Sequence, residues 1–217
     1  MKKTILILSI ITLFFAGCKK DDIFEEGTMG AVDGHIYVDL GLPSGLKWAT
    51  CNVGADSPEE YGDYFAWGET STKNGYYSDN CPTHGLSISK LQSQGYIDSE
   101  GNLTSSHDAA TANWGGSWRM PTGIEMQELI DNCTWTWITQ NGVNGYKVTS
   151  KVNNNYIFLP AAGFWSSDDD GLYGRYWNSS SHESNSSSAG RLYFDSVKNY
   201  VDWYHRYCGL SVRPVFE

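Results

Sequence analysis

A C-terminal tract, Tyr176 to Cys208, constrains the fold most strongly, because it mixes small hydrogen-bonding residues with many aromatic rings. Asn, Tyr, Ser, His and Asp supply 20 of its 33 residues. A flexible linker would also be rich in Ser, but it would lack the seven Tyr and Trp residues found here. Rings combined with adaptable polar groups are typical of antibody-like recognition surfaces. The tract is therefore predicted to be a binding face supported by a folded domain.

The first 17 residues are predicted to be an export signal. Lys2 and Lys3 precede an apolar run of 13 residues, which is too short to span a bilayer as a helix. The string Phe15-Ala16-Gly17-Cys18 resembles the lipobox of bacterial lipoproteins, which is cleaved before a cysteine that is then acylated. A plain secretory signal with a chance cysteine is the alternative. We expect a lipid anchor at Cys18, a flexible tether over residues 18–32 and one domain over residues 33–217.

The residues that follow the anchor suggest where it is displayed. Lys19-Lys20-Asp21-Asp22 resembles the acidic signal that sends lipoproteins of Bacteroidota to the cell surface. This predicts an outer-membrane protein that faces the cell exterior, although charged residues also suit any solvated tether.

The net charge of −10 argues against nucleic acid as a partner, because a phosphate backbone would be repelled. Besides Cys18, the chain has Cys51, Cys81, Cys133 and Cys208. Four cysteines allow three disulfide pairings, and buried free thiols are an equal alternative.

Two helices and several short strands are predicted, which favours an α+β domain with long loops. Asp108 to Trp114 should form one helix, and the capping-box spacing of Thr122 and Glu125 should begin another. The interval from Gly54 to Asn102 is predicted to be loop-like. The strand candidates are His35–Leu40, Leu46–Cys51, Tyr146–Thr149, Tyr156–Leu159, Arg191–Asp195 and Leu210–Val215, and the first is expected to pair with the last.

Four strings, in this order, resemble the Fibrobacter major paralogous-domain family of exported bacterial proteins. They are Tyr37-Val38-Asp39-Leu40-Gly41-Leu42-Pro43-Ser44-Gly45-Leu46-Lys47-Trp48-Ala49, Asn113-Trp114-Gly115-Gly116-Ser117-Trp118-Arg119-Met120-Pro121-Thr122, Ile157-Phe158-Leu159-Pro160-Ala161-Ala162-Gly163 and Gly209-Leu210-Ser211-Val212-Arg213-Pro214-Val215.

The resemblance implies a C-type-lectin-like fold of the branch that holds formylglycine-generating enzymes and the variable proteins of diversity-generating retroelements. In those systems, adenine replacement turns AAC codons into codons for residues such as Asn, Tyr, His, Asp, Ser and Arg. Many residues of the tract could arise in that way, whereas Glu183, Lys198 and Trp203 could not. Two hypotheses stay open: a diversified cassette, or an undiversified relative whose surface drifted.

No catalytic or metal motif emerges from the sequence. The five histidines are scattered, and Ser166–Gly171 mimics a calcium loop only partly, since Trp177 stands where its Glu should be. A formylglycine-type oxidase would need two reactive cysteines near its end, and only Cys208 lies there. Trp114 and Trp118 are expected to be structural, and Arg119 and Arg213 to be buried ion-pair partners. We expect neither enzyme activity nor a cofactor or metal.

The predicted function is therefore binding of a protein or glycan ligand by a monomeric surface lipoprotein. The alternative is a structural or adhesive subunit of a cell-surface or fimbrial assembly. The candidate ligand-binding residues are Asn178, Ser180, His182, Asn185, Tyr200, Asp202, Trp203, Tyr204, His205, Arg206 and Tyr207.

Overall fold

The computed structural model describes residues 29–166 and 170–217. In those residues the chain forms three α-helices and ten strands, and all pairs of named strands are antiparallel. The fold is therefore α+β. The elements are β1 (Met29–Val32), β2 (His35–Asp39), β3 (Lys47–Ala49), α1 (Ile88–Ser93), α2 (Ala109–Trp114), α3 (Gly123–Asn132), β4 (Cys133–Gln140), β5 (Val143–Ser150), β6 (Tyr156–Pro160), β7 (Tyr173–Ser181), β8 (Ser188–Asp195), β9 (Asn199–His205) and β10 (Val215–Phe216).

The first sheet joins the two ends of the domain in the order β1-β2-β3-β10. Val215 pairs with Trp48, so the end of the chain pairs with β3. The predicted pairing of His35–Leu40 with Leu210–Val215 is wrong, because short hairpins place β1 and β3 on the two sides of β2. Residues 29–32 were predicted to lie in the tether, but they form β1 and belong to the domain.

The other two sheets are three-stranded meanders in the orders β4-β5-β6 and β7-β8-β9. The strand predictions in the second half of the chain fall inside β5, β6 and β8. Leu210–Val215, however, is mostly irregular and reaches a strand only at its last residue. The sequence did not predict β4, β7 and β9 as strands. The predicted binding tract therefore forms most of the third sheet.

The two predicted helices are confirmed as α2 and α3. The Asp108 side chain accepts a hydrogen bond from the Thr111 amide at the start of α2. Thr122 and Glu125 form a complete capping box at the start of α3. A third helix, α1, lies within the interval predicted to be loop-like. It is only six residues long, and its Leu91 is fully buried.

Two apolar clusters lie on opposite sides of the third sheet. The first includes Leu129 of α3 and Tyr176, and the second includes Leu210 and Trp177. Tyr176 and Trp177 are neighbours in β7, and successive strand residues point to opposite faces. The third sheet therefore lies between the two clusters, and one cluster packs on each of its faces.

Buried polar groups tie the C-terminal end to the rest of the domain. Arg213 is fully buried, and it donates to Asn52 Oδ1 at 2.8 Å and to the carbonyls of Ala49 and Thr50 at 3.1 and 2.9 Å. The expected ion pair of Arg213 is therefore wrong, because neutral oxygens bind its guanidinium. Arg119 does pair with an acid, making two 2.8 Å bonds to Glu125.

The four cysteines of the described residues are free thiols, which agrees with the free-thiol alternative. Trp118 is buried, as expected of a structural residue, and its ring packs edge-on against Trp114. In the part of the chain that the structure describes, no helix has the length and apolar character needed to cross a membrane.

Candidate ligand-binding faces

Strand β9 divides the predicted binding residues between two faces of the third sheet. Tyr200, Asp202 and Tyr204 alternate with residues that point the other way, including Trp203 and His205. Tyr200 is paired with a residue of β8, and so are Asp202 and Tyr204. The side of the sheet that carries Trp177 extends beyond the second apolar cluster, and we call this part the outer face. It consists of Tyr173, Arg175, Arg191, Tyr193, Tyr200, Asp202 and Tyr204.

Four tyrosine rings line the outer face across all three strands. The Tyr193 ring lies 5.9 Å from the Tyr173 ring and 5.0 Å from the Tyr200 ring, measured between centroids. Tyr173 and Tyr200 are partly exposed, whereas Tyr193 is buried between them. The rings of Tyr173, Tyr193 and Tyr200 therefore form a continuous aromatic surface. Tyr204 is connected to it through Arg191, whose guanidinium lies 5.2 Å from the Tyr193 ring.

Cationic side chains orient these rings. The Arg191 guanidinium lies 3.9 Å from the Tyr204 ring centroid and makes two hydrogen bonds to the Asp202 carboxylate, at 2.8 and 3.2 Å. The Arg175 guanidinium lies 5.3 Å from the Tyr173 ring, and Lys198 lies 5.5 Å from the Tyr200 ring. Cation–π contacts of this kind hold an aromatic face in one conformation before a ligand arrives.

The phenols of Tyr193 and Tyr204 remain neutral over the physiological range. Burial raises the pKa of Tyr193 to about 12, and the Asp195 carboxylate acts in the same direction. Burial also raises the pKa of Tyr204, against the opposing effect of Arg175 and Arg191. Each phenol can therefore act both as donor and as acceptor.

The opposite side of the third sheet carries a separate groove at the tip of the β7–β8 hairpin, which we call the hairpin tip. Ser180, His182 and Trp203, all predicted binding residues, border a cavity of about 540 Å³ between the tip and α1. The His182 and Trp203 rings lie 4.6 Å apart at an angle of 55°. Trp203 is 47% exposed. We call this cavity the Trp203 groove, and Gln92, Glu100 and Glu183 also border it.

Two predicted binding residues, Asn178 and Arg206, are fully buried, so their prediction as ligand contacts is wrong. The Asn178 carbonyl accepts from the Trp67 ring at 3.0 Å, and its side chain fills the space beside Gly190, where a Cβ would meet it at 2.3 Å. Arg206 donates to the carbonyls of residues 83, 86 and 188. The backbone carbonyl of Asn178 and the side chain of Arg206 therefore tie loops to the third sheet.

The remaining predicted residues lie around the ends of the third sheet. Tyr207 packs against the second apolar cluster and stacks on exposed His205 at 5.4 Å. Tyr204 also contacts that cluster, so these two tyrosines are partly structural. Asn185 is exposed in the turn between β7 and β8, where its side chain accepts from the Ser187 amide.

Sequence reasoning missed several residues of both faces. Tyr173, Arg175, Arg191 and Tyr193 were not among the candidates. Their alternation with apolar residues in β7 and β8 is the signal that could have revealed them. Gln92 and Glu100 of the Trp203 groove carry no such signal, because only tertiary contacts bring them to the hairpin tip.

A second cavity, of about 350 Å³, is bordered by Asp108, Arg119 and Thr122 among others. The Asp108 carboxylate accepts from the amides of Thr111 and Met120, at 3.0 and 2.8 Å. Burial raises the pKa of Asp108, and these backbone hydrogen bonds oppose the rise. These hydrogen bonds join the start of α2 to the segment before α3, so the Asp108 carboxylate has a structural role.

Within the described ranges, no three His, Cys, Asp or Glu side chains lie close enough to hold a metal ion. The partial calcium loop is described only at its ends, because residues 167–169 lie outside those ranges. Cys18, the export signal and the tether up to residue 28 also lie outside them.

Comparison with known proteins identifies similarity over part of the chain. A family model described as a domain of unknown function (DUF8237) matches residues 142–215, about a third of the chain, including the whole third sheet. Neither a curated protein nor a solved structure matches the chain.

Proposed function

We propose that this chain is a non-enzymatic surface lipoprotein that binds a protein ligand on the outer face of its third sheet. The observation that carries the proposal is that Tyr200 and Tyr204 share one face with Tyr173 and Tyr193. Tyr and Arg dominate the energetic centres of protein interfaces, and rings held in place lose little entropy on binding. The outer face is a sheet surface rather than a cavity, which suits a protein better than a small molecule.

The wider setting of the proposal follows from the sequence. A C-type-lectin-like domain, anchored through acylated Cys18 in the outer membrane, would present the third sheet to the cell exterior. The pairing of β3 with β10 supports such a fold, since it closes the domain where its two ends meet. Family resemblance alone does not define a ligand, so the proposal depends on the outer face.

Photo-cross-linking of the anchored full chain tests the proposal. A photoreactive phenylalanine replaces Tyr200 or, as the matched control, Tyr77, which is 58% exposed and lies outside the third sheet. We expect a protein adduct from position 200 and not from position 77. The purified partner should then bind the Tyr200→Ala variant roughly tenfold more weakly, because truncating an interface centre costs more than about 1 kcal/mol.

Equal binding of the partner to the wild type and to Tyr200→Ala would contradict the outer-face proposal. The alternative function, a subunit of a surface assembly, predicts that the chain is extracted already bound to partner subunits. Native mass spectrometry of the extracted protein separates the two, since a ligand-binding protein should be a free monomer before ligand is added.

The proposal also includes diversification by a retroelement. The outer face specifies which positions should then vary. Variation should concentrate at partly exposed Tyr200, Asp202 and Tyr204 and should spare buried Asn178 and Arg206. Sequencing the neighbouring DNA tests this, because a diversified gene has a near-copy of its C-terminal coding segment beside a reverse transcriptase. Variation spread equally over buried and exposed positions would argue for drift.

A further inference from the structure

We propose that the Trp203 groove binds a neutral saccharide, with a sugar ring stacked on the Trp203 indole. This site lies on the other side of the hairpin tip from the outer face, and the inference does not depend on the protein ligand proposed above. Its cavity of about 540 Å³ lies within the range of roughly 300–1,000 Å³ typical of ligand pockets.

The exposure of Trp203 is the first observation. Four of the nine tryptophans, Trp48, Trp67, Trp118 and Trp177, are fully buried, whereas Trp203 is 47% exposed. An indole is a large apolar surface with one polar atom, and it is commonly found where one side is apolar and the other polar. Trp203 borders the groove, so the polar environment of its exposed indole is the groove itself. A sugar ring has that same combination of an apolar ring face and a hydroxylated rim.

The second observation is that His182 is fixed against Trp203. Its Nδ1 accepts hydrogen bonds from the backbone amides of Ser184 and Asn185, both at 3.2 Å. Since Nδ1 accepts those bonds, Nε2 is the ring nitrogen that carries a hydrogen. His182 therefore provides an N–H donor beside the indole, in an orientation that exists before a ligand binds.

The walls of the groove provide mixed hydrogen-bonding groups. Ser180 and Ser181 are already satisfied, since their hydroxyls donate at 2.8 Å to Asn102 Oδ1 and the Gly101 carbonyl. Glu100, Glu183 and the Gln92 side chain border the same cavity and supply acceptors. Sugar hydroxyls both donate and accept, so they match carboxylates together with the His182 N–H.

Charge decides which class of saccharide fits. Two carboxylates border the groove and the chain has a net charge of −10, which opposes sialic and uronic acids. A basic peptide would satisfy the carboxylates and could stack on the indole, but its Lys and Arg side chains offer no acceptor to the His182 N–H, whereas each sugar hydroxyl does. A neutral sugar matches all of these groups.

Calorimetric titration of the full chain tests the proposal. The probes are neutral oligosaccharides of glucose, galactose, mannose and N-acetylglucosamine, a sialylated oligosaccharide and a lysine-rich peptide. We expect at least one neutral oligosaccharide to bind, and Trp203→Ala to weaken it by roughly tenfold or more, with Trp203→Phe in between. Tyr77→Ala, the matched control at another exposed ring, should bind like the wild type.

Three results would overturn the proposal: no neutral oligosaccharide binds at millimolar concentration, Trp203→Ala binds as tightly as the wild type, or only the sialylated or the basic probe binds. Thermal unfolding of Trp203→Ala should match the wild type, which separates a lost contact from a lost fold. Tyr200→Ala should leave saccharide binding unchanged, so a failure of the outer-face proposal would be distinguishable from a failure here.

Discussion

Fully buried arginine side chains contribute strongly to the stability of this fold. Their guanidinium groups donate hydrogen bonds to neutral oxygens rather than to acids. Arg213 is the clearest case, with its three hydrogen bonds to Asn52 and to two backbone carbonyls. Burial lowers the pKa of Arg213, because a guanidinium away from water is poorly solvated. Its charged hydrogen bonds nevertheless join the end of β3 and the residues after it to the last segment of the chain.

Arg213→Ala should therefore be severely destabilising. It removes the guanidinium from three acceptors, two of them buried, and opens a cavity, so we expect a loss of at least about 3 kcal/mol in the free energy of unfolding. Urea denaturation measures it. The matched control is Lys90→Ala, an exposed cation of α1, which should change stability by less than about 0.5 kcal/mol. Similar losses in both variants would contradict a structural role for Arg213.

The buried thiols should make the domain sensitive to high pH. Burial raises the pKa of Cys133 and of Cys208 from 9.0 to about 11. The unfolded chain therefore releases these protons first, and stability that is complete below pH 9 is lost as the pH rises toward about 11. Cys133→Ala combined with Cys208→Ala should flatten this decline just above pH 9, below the ordinary tyrosine pKa of about 10. An unchanged slope in denaturation curves would show that the thiols do not titrate in this way.

At the scale of elements, α3 depends on a local network at its first turn. The Glu125 carboxylate accepts from the Thr122 amide at 2.7 Å and makes two hydrogen bonds to Arg119. Burial alone would raise the pKa of Glu125, but Arg119 and Thr122 outweigh it and lower the value. The same carboxylate therefore caps the helix and fixes the segment before it.

Thr122→Ala should cost about 1 kcal/mol, the usual value for a lost helix cap. Glu125→Ala should cost more, because it also leaves Arg119 without its acid. The control is Gln127→Ala, an exposed residue of the same helix, with an expected change below about 0.5 kcal/mol. Chemical denaturation gives the order of the three variants, and an equal effect of Thr122→Ala and Glu125→Ala would argue against the double role of Glu125.

The elements also show where sequence patterns succeed. Helix α3 was predictable because its cap and its apolar stripe are local features. The faces of β9 were not, since its aromatic residues do not alternate with polar ones: Tyr200 and Tyr204 lie on one face and Trp203 on the other. Asn178 and Arg206 were predicted to be exposed because they are polar residues within a polar tract. Loops from distant parts of the chain bury them, and a local sequence pattern does not show such contacts. Helix α1 borders the Trp203 groove. The sequence did not predict this helix, because the composition of the interval around it is typical of a loop.

At the scale of the whole molecule, the β3–β10 pair closes the domain. Val215 is fully buried, and the Phe216 ring lies 4.7 Å from the Trp118 ring and 4.9 Å from the Tyr37 ring. The last residues thus connect the first sheet with the loop before α3.

Deleting Val215–Glu217 should destabilise the domain by about 3 kcal/mol or more, the usual cost of losing one buried aromatic residue. Deleting exposed Glu217 alone is the matched control and should have a small effect. Thermal unfolding of the two truncated chains distinguishes them. If both unfold at the temperature of the wild type, the closing pair does not stabilise the domain.

The two-sided arrangement of β9 has an evolutionary consequence. Substitutions at even-numbered positions from Tyr200 to Tyr204 would remodel one surface, while odd-numbered ones would alter the opposite surface. Selection could then change what one side recognises without disturbing the other, as long as no insertion or deletion in the strand exchanges their orientations.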